Sequence, residues 1–339
     1  MKYTLFLLFS VIGILGLLVG CTSEKPRFVI GVSQCSDDEW REQTNKEIRR
    51  EALFYPEVEV KIRSVKDDNV AQEKDIDRFI DEGVDLLIVA PNEADALVPA
   101  IERAYDAGIP VVLFDRKVHS DKYTAYVGAD NYEIGYQVGE YIVSRLQGKG
   151  QIVELTGLIG SSPAVERHRG MMKALKQAPD IHVLASVDAA WLRESAEKVF
   201  DSIQTVYPHI DLVFAHNDRM AVGAYDAAVG KKRDKDILFV GIDALAGKGN
   251  GVEQVMAGHL DASFIYPTGG DRVMQVAMNI LEGKPSCRQH WSTARMHVSC
   301  RCRRSIYFSW IARLRSLTVS WMHSCSAIRP NRCFCMPAS

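Results

Sequence analysis

At 339 residues, with 47% hydrophobic residues and a formal net charge of −2, the chain has room for two domains with sizeable cores. It carries no global excess of positive charge that would direct it to nucleic acid.

The chain opens with one lysine and an uncharged, mainly apolar stretch from Tyr3 to Gly20. A run of that length serves as a secretory signal or spans a bilayer, so residues 1–21 read as a signal peptide or membrane anchor and the remainder as exported. Leu18-Val19-Gly20-Cys21 resembles a bacterial lipobox, which makes Cys21 a lipidation candidate. An uncleaved anchor with an incidental cysteine is the alternative.

From Arg27 onward the pattern is regular. RFVIGVS (27–33) predicts a strand, 37–53 a polar helix, VEVKIRS (58–64) a strand and 70–82 a helix. DLLIVAP (85–91), a helix over 95–106, PVVLFDR (110–116) and Tyr126-Val127-Gly128 continue the alternation. It then starts again, with a helix at 132–147, QIVELTG (151–157), a helix at 165–177 and HVLASVD (182–188). A helix at 193–206, DLVFAHN (211–217), a helix to Val229 and ILFVGID (237–243) follow, and a strand over 258–266 and a helix over 269–282 close the regular part. This repeated β-α alternation predicts an α/β fold of two Rossmann-like lobes, each with a parallel sheet covered on both faces and a hinge between them.

Three apolar runs stop at polar groups: VVLFDR at Asp115-Arg116, LVFAHND at Asn217-Asp218 and ILFVGID at Asp243. In an open parallel sheet, ligands bind outside the carboxyl ends of the strands, so these side chains face a crevice. Asp218 stands just before a helix expected to start at Arg219 and is read as its N-cap. Asp243 suits either a cap or a ligand contact.

The blocks GVSQCSDDEW, DLLIVAPNEADAL, GIPVVLFDR, YVGADNYEIGYQVGEYI, IVELTGLIGSSPAVERHRG, VFAHNDRMAVGA and FVGIDA, in this order, resemble the periplasmic sugar-binding proteins related to ribose- and galactose-binding proteins. The ligand-binding cores of LacI-type repressors share their fold. The resemblance runs from about Arg27 to Pro285 and implies a type I periplasmic binding protein fold, with three crossover strands and a sugar held between the lobes. It assigns 27–129 plus 267–285 to lobe 1 and 130–266 to lobe 2.

Carried over position by position, the resemblance places Asp115 and Arg116 at the family's Asp-Arg ligand pair and Arg167 at the arginine of its ERxxG block. Asn217 falls on the asparagine of a QND-like block, here HND; Asp243 ends the GxD strand, and Tyr266 stands where Gln or Asn is frequent. Trp40 and Trp191 occupy aromatic positions, and Asp38 and Arg41 flank the first of them. These residue types suit a sugar: carboxylates accept from hydroxyls, guanidinium forks donate to oxygens, and indole faces cover C–H patches.

Nothing in the chain suggests catalysis. There is no nucleophile elbow, thiol–histidine arrangement or HExxH spacing, and the Gly157–Ser162 loop lacks the features of a phosphate cradle. No enzyme activity, cofactor or metal is therefore expected. The expected partners are a monosaccharide, the membrane through the N-terminal segment, and a permease or a sensor-kinase dimer partner. The start SQCSDDEWR resembles the periplasmic sensor portion of Bacteroides-type hybrid two-component regulators, which favours a sensor over a free transport lipoprotein. A LacI-type regulator core ranks lower, because a membrane-targeting segment stands where such regulators carry a helix-turn-helix headpiece.

Usage changes at Ser286. No Asp, Glu or Lys follows it, while nine arginines, six of the eight cysteines and three of the five tryptophans do. Cys300-Arg-Cys302 and Cys333-Phe-Cys335 lack the spacing of a structural zinc site. Residues 286–339 read as an aberrant tail, frameshifted or disordered, with no sustained period.

Overall fold

The computed structural model describes residues 26–284 and the backbone of two strands at 296–301 and 304–309. The proposed anchor, with Cys21, lies outside the described residues. Among those described, no helix is long and apolar enough to cross a membrane.

The first sheet has β1 (Phe28–Gln34), β2 (Val58–Ser64), β3 (Leu86–Ala90), β4 (Val111–Phe114) and β5 (Ala125–Val127) in the order β2-β1-β3-β4-β5, all parallel. The central strands β3 and β4 are buried at every position, as strands covered on both faces must be. On one face, α2 (Asn69–Asp81) and α3 (Val98–Asp106) pack Ile76, Phe79, Leu97 and Ile101 onto Leu87 and Val89. On the other, α1 (Glu39–Ala52) and α9 (Gly270–Leu281) bring Ile48, Val273 and Ala277 to Ile30, Ile88 and Val112.

The second sheet repeats the topology. β6 (Lys149–Thr156), β7 (Asp180–Asp188), β8 (Leu212–Ala215), β9 (Leu238–Asp243) and β10 (Ala262–Ile265) run in the order β7-β6-β8-β9-β10, again parallel. α4 (Asn131–Arg145) and α5 (Ser162–Leu175) cover one face, and α6 (Arg193–Val206) and α7 (Asp218–Gly230) the other. The chain passes from the first sheet to the second between Val127 and Asn131 and returns between Ile265 and Gly270. Each sheet reverses its strand order beside its first strand, so the crevices of both lobes open at the carboxyl ends of their strands.

Local chemistry sets the boundaries. Asp38 caps α1 by accepting from the Arg41 amide at 2.9 Å, so the helix expected from residue 37 starts two residues later. The helix expected from 95 begins at Val98 with Pro99 in its first turn, where a missing N–H costs nothing. A short helix, α8 (Gly251–Ala257), was not foreseen; Gly258, expected to open a strand, instead ends α8 in the left-handed conformation at φ 88°.

One expectation is corrected. Asn217, not Asp218, is the N-cap of α7: its Oδ1 accepts from the Met220 amide at 2.8 Å, while Asp218 is the first helical residue and turns its carboxylate inward. The tail holds β11 (Met296–Arg301) and β12 (Arg304–Ser309), with β12 parallel to β10 and antiparallel to β11. The RSIYFS stretch is rich in β-favouring residue types, and the edge of β10 offers it a row of backbone partners.

Candidate functional site

The carboxyl ends of the two sheets face one cavity of about 320 Å³. Its walls include Asp38, Trp40, Arg41, Asp115, Arg167, Trp191, Asn217, Asp243 and Tyr266, every ligand candidate of the sequence except Arg116. Arg116 lies behind them, donating from Nη1 to the Asn92 carbonyl at 2.7 Å and facing the Trp191 ring at 5.4 Å.

Asp115 is the centre of the lobe 1 wall. It ends β4 at φ 62°, a left-handed backbone that an aspartate tolerates better than most residues, and its carbonyl accepts from the Tyr126 hydroxyl at 3.0 Å. The kink presents the carboxylate to Arg41 Nη2, with which it forms a buried ion pair, and to the Tyr266 hydroxyl at 2.6 Å. Burial pushes the Asp115 carboxyl up, but Arg41, Arg116, the Tyr266 hydroxyl and Arg167 outweigh it and hold the group below the usual carboxylate range. The Arg41 guanidinium is held above its ordinary value despite burial, through Cys35, Asp115 and Asp38, and its Nη1 has no hydrogen-bond partner among the described residues. Burial and the Asp115 charge likewise raise the Tyr266 phenol, so it stays a donor.

The two indoles bracket the cavity. Trp40 packs on Tyr266 at 5.4 Å between ring centres and on Phe114 at 6.3 Å. Trp191 rests on the Gly157 backbone, where a Cβ would fall 2.1 Å from the ring, and Arg167 lies 5.5 Å from its centre. Asn217 ties the Trp191 loop to the start of α7 by donating from Nδ2 to the Trp191 carbonyl at 3.1 Å.

Lobe 2 contributes Arg167, Asp218 and Asp243. Arg167 is buried, donating from Nε to Asn131 Oδ1 at 2.8 Å and from Nη1 to the His216 carbonyl. Asp218 accepts from Ser263 Oγ at 2.7 Å and the Ala244 amide at 2.8 Å, in a slot where a Cβ on Gly241 would lie 2.1 Å from its Oδ1. Burial pushes it up to about 7, against the hydrogen bonds from Ser263 and Ala244. Asp243 is raised well above the carboxylate range by burial and the neighbouring Asp218; its carbonyl accepts from the Tyr266 amide at 3.2 Å, while its carboxyl group makes no hydrogen bond among the described residues.

Sequence reasoning missed the mouth, where Glu39, Arg193, Glu194, Arg219, Lys248 and Asn250 stand. It also missed Glu154 behind the cavity, whose Oε1 lies 2.9 Å from the Nε2 of His216, a residue read from the sequence as lining or backing the site, and whose Oε2 lies 2.8 Å from His168 Nδ1. The HND block and the glutamate inside the apolar strand QIVELTG were the available signals.

The arrangement is that of a two-lobed binder with donors, acceptors and aromatic faces converging on one small cavity. The chain belongs to the periplasmic binding protein domain family, whose model matches residues 28–285. It is 34% identical to the galactofuranose-binding protein YtfQ of Escherichia coli (strain K12), over 64% of this chain and 71% of that protein. Identity to the ribose import binding protein RbsB of Bacillus subtilis (strain 168) is 31%, over 66% of this chain and 72% of that one. Among solved structures, the fructose binding periplasmic domain of the hybrid two component system BT1754 is 60% identical, with a TM-score of 0.76, covering 77% of this chain and 87% of that domain.

Proposed function

We propose that the chain binds a monosaccharide between its lobes, in furanose form and with D-fructose as the first candidate. The carrying observation is the cavity itself: at about 320 Å³ it lies at the small end of ligand pockets and is lined by two indoles, Arg41, Arg167, Asp115 and an unpartnered Asp243 carboxyl. Asp243 supplies an acceptor, or when protonated a donor, that a sugar hydroxyl can satisfy. The 60% identity to a fructose-binding domain supports fructose, and solved relatives with bound arabinofuranose and fucofuranose support the furanose form. The role is binding rather than catalysis. Calorimetry against D-fructose, D-ribose, L-arabinose, D-galactose and myo-inositol tests it, and silence of a folded sample towards all of them would refute it.

The binding event serves a periplasmic sensor held at the membrane by the N-terminal segment, closure of the lobes being the signal. Similarity to the hybrid two-component domain favours this over a transport lipoprotein, the reading that the import-protein relatives and the Leu18–Cys21 motif support. Reading the gene past codon 285 in all three frames separates the two: a transmembrane helix and a kinase in one frame support the sensor, and their absence supports the lipoprotein.

A further inference from the structure

Four side chains form a single row of hydrogen bonds along the back of the cavity. Arg167 Nε donates to Asn131 Oδ1 at 2.8 Å, Asn131 Nδ2 donates to the Tyr266 hydroxyl at 3.3 Å, and that hydroxyl donates to Asp115 Oδ1 at 2.6 Å. The polarity follows from the two ends. A guanidinium has only donors, so Asn131 must turn its oxygen to Arg167. An ionised carboxylate has only acceptors, so the one hydroxyl hydrogen of Tyr266 goes to Asp115 and the amide N–H of Asn131 is left to serve the hydroxyl oxygen. Asparagine meets both demands; aspartate lacks the donor and alanine lacks both groups.

Asn131 is the member of the row absent from the cavity wall, and it is buried to 1% exposure. It is also the first residue of α4, directly after the chain crosses from lobe 1, while Tyr266 stands where the chain leaves β10 to cross back. The row therefore starts on Asp115 of lobe 1, runs through both described crossovers and ends on Arg167 of lobe 2. The helix cap does not need the Asn131 side chain, because the neighbouring Asp130 caps α4 by accepting from the Glu133 amide at 2.9 Å, and the one local bond of Asn131 is a long one, from Nδ2 to the Ala129 carbonyl at 3.5 Å.

Resting on the sugar-binding reading above, we infer that Asn131 is a positioning residue. It sets Arg167 and Tyr266 against Asp115, so the arrangement that fits the sugar coincides with one setting of the hinge. A rotation about the crossovers changes the distance between Asp115 and Arg167, and the row is complete over a narrow range of that distance.

The test is a double-mutant cycle on the full chain, with N131A, Y266F and the pair, read by calorimetry with the tightest-binding sugar of the panel above. N131A is expected to weaken binding about tenfold, and the double variant to weaken it by clearly less than the product of the singles, since each single already interrupts the same row. A multiplicative product, or an unchanged N131A, overturns the inference; a role confined to fold stability would lower the melting temperature and leave the cycle additive. If N131A does not fold, the near-isosteric N131D, which keeps the acceptor and loses the donor, takes its place in the same cycle. A parent silent to every sugar refutes the sugar reading instead. The cycle is then read in thermal unfolding, where coupling between the two positions supports the row and additivity sinks it.

Discussion

Lys117 Nζ lies 2.6 Å from Glu166 Oε1, and the two residues belong to different lobes. The contact is one of a set: the Lys117 amide donates to Ser162 Oγ at 2.8 Å, the Ala94 amide donates to the Gly160 carbonyl at 2.9 Å, and Arg219 Nε meets Glu39 Oε2 at 3.4 Å. Residues at the mouth and beyond it thus hold the lobes together, so part of the free energy of closure comes from protein–protein contacts and the rest from ligand.

Lys117→Met should speed sugar release about two- to fivefold, with a smaller change in association. The pair is partly solvated, with side-chain exposures of 36% and 21%, so its contribution is about 0.2–1 kcal/mol and falls with added salt. Stopped-flow release rates at low and high ionic strength check this. An equal salt response in parent and variant would show that the pair takes no part in closure.

Arg41→Ala should weaken sugar binding by about 2–5 kcal/mol, because it leaves the buried Asp115 carboxylate without its nearest cation. Asp115→Ala should do the same from the other side. Arg116→Ala should cost less, since its Nε is 3.8 Å from Asp115 and its strongest bond is to the Asn92 carbonyl. Calorimetry on the three variants gives the ranking; an Arg116 effect larger than that of Arg41 would place the sugar against the other guanidinium.

The fold was legible because its strands announce themselves. LLIVA and VVLF are short apolar runs that admit no amphipathic helix, and the polar residue after each run marks its carboxyl end. The cavity wall was legible for the same reason, since strand ends in both lobes must face it. What the sequence hid was the division of labour among adjacent polar residues. In Arg41 and Arg116, or Asn217 and Asp218, one residue caps or braces while its counterpart lines or charges the cavity, and the outcome depends on backbone angles such as the φ of 62° at Asp115. Asn131 was invisible because its partners are 36 and 135 residues away. The α8 helix escaped because it is 7 residues long and flanked by glycine, too short for a helical period to emerge.

The Asp218–Asp243 pair should make the protein more stable on the acid side of neutrality. Asp218 is raised from 3.8 to about 7 and Asp243 is also raised well above 3.8, so in this range the folded state binds protons that the unfolded chain does not. Stability then falls as pH rises from about 4 through 7, with the pair titrating as a unit and the Asp218 shift alone contributing on the order of 4 kcal/mol. Asp218→Asn keeps a neutral partner for Ser263 and should flatten this slope. Denaturant midpoints of parent and variant across that range decide it, and parallel curves would mean that the carboxylates are not protonated in the folded state.

The buried Glu154 should act in the opposite sense and at lower pH. Burial raises its carboxyl, but the bonds from His168, His216 and Ser186 outweigh this and bring it from 4.5 down to about 2. A depressed folded value stabilises above the unfolded one, so this contribution is complete above about 4.5 and is lost as pH falls towards 2. His216, lowered by burial, adds a loss below its ordinary 6.5, where the unfolded chain takes up a proton that the folded one resists. Glu154→Leu strands His216 Nε2–H without an acceptor and should cost about 1–3 kcal/mol at pH 7, with a weaker grip on Arg167 through the His216 carbonyl. His216→Gln keeps a donor towards Glu154 and should cost less, while removing the loss below 6.5 from the stability profile relative to the parent. Thermal and denaturant midpoints of both variants between pH 3 and 8 are the measurement. A Glu154→Leu protein as stable as the parent at pH 7, with an unchanged sugar affinity, would show that the histidine–glutamate pair bears no load behind the cavity.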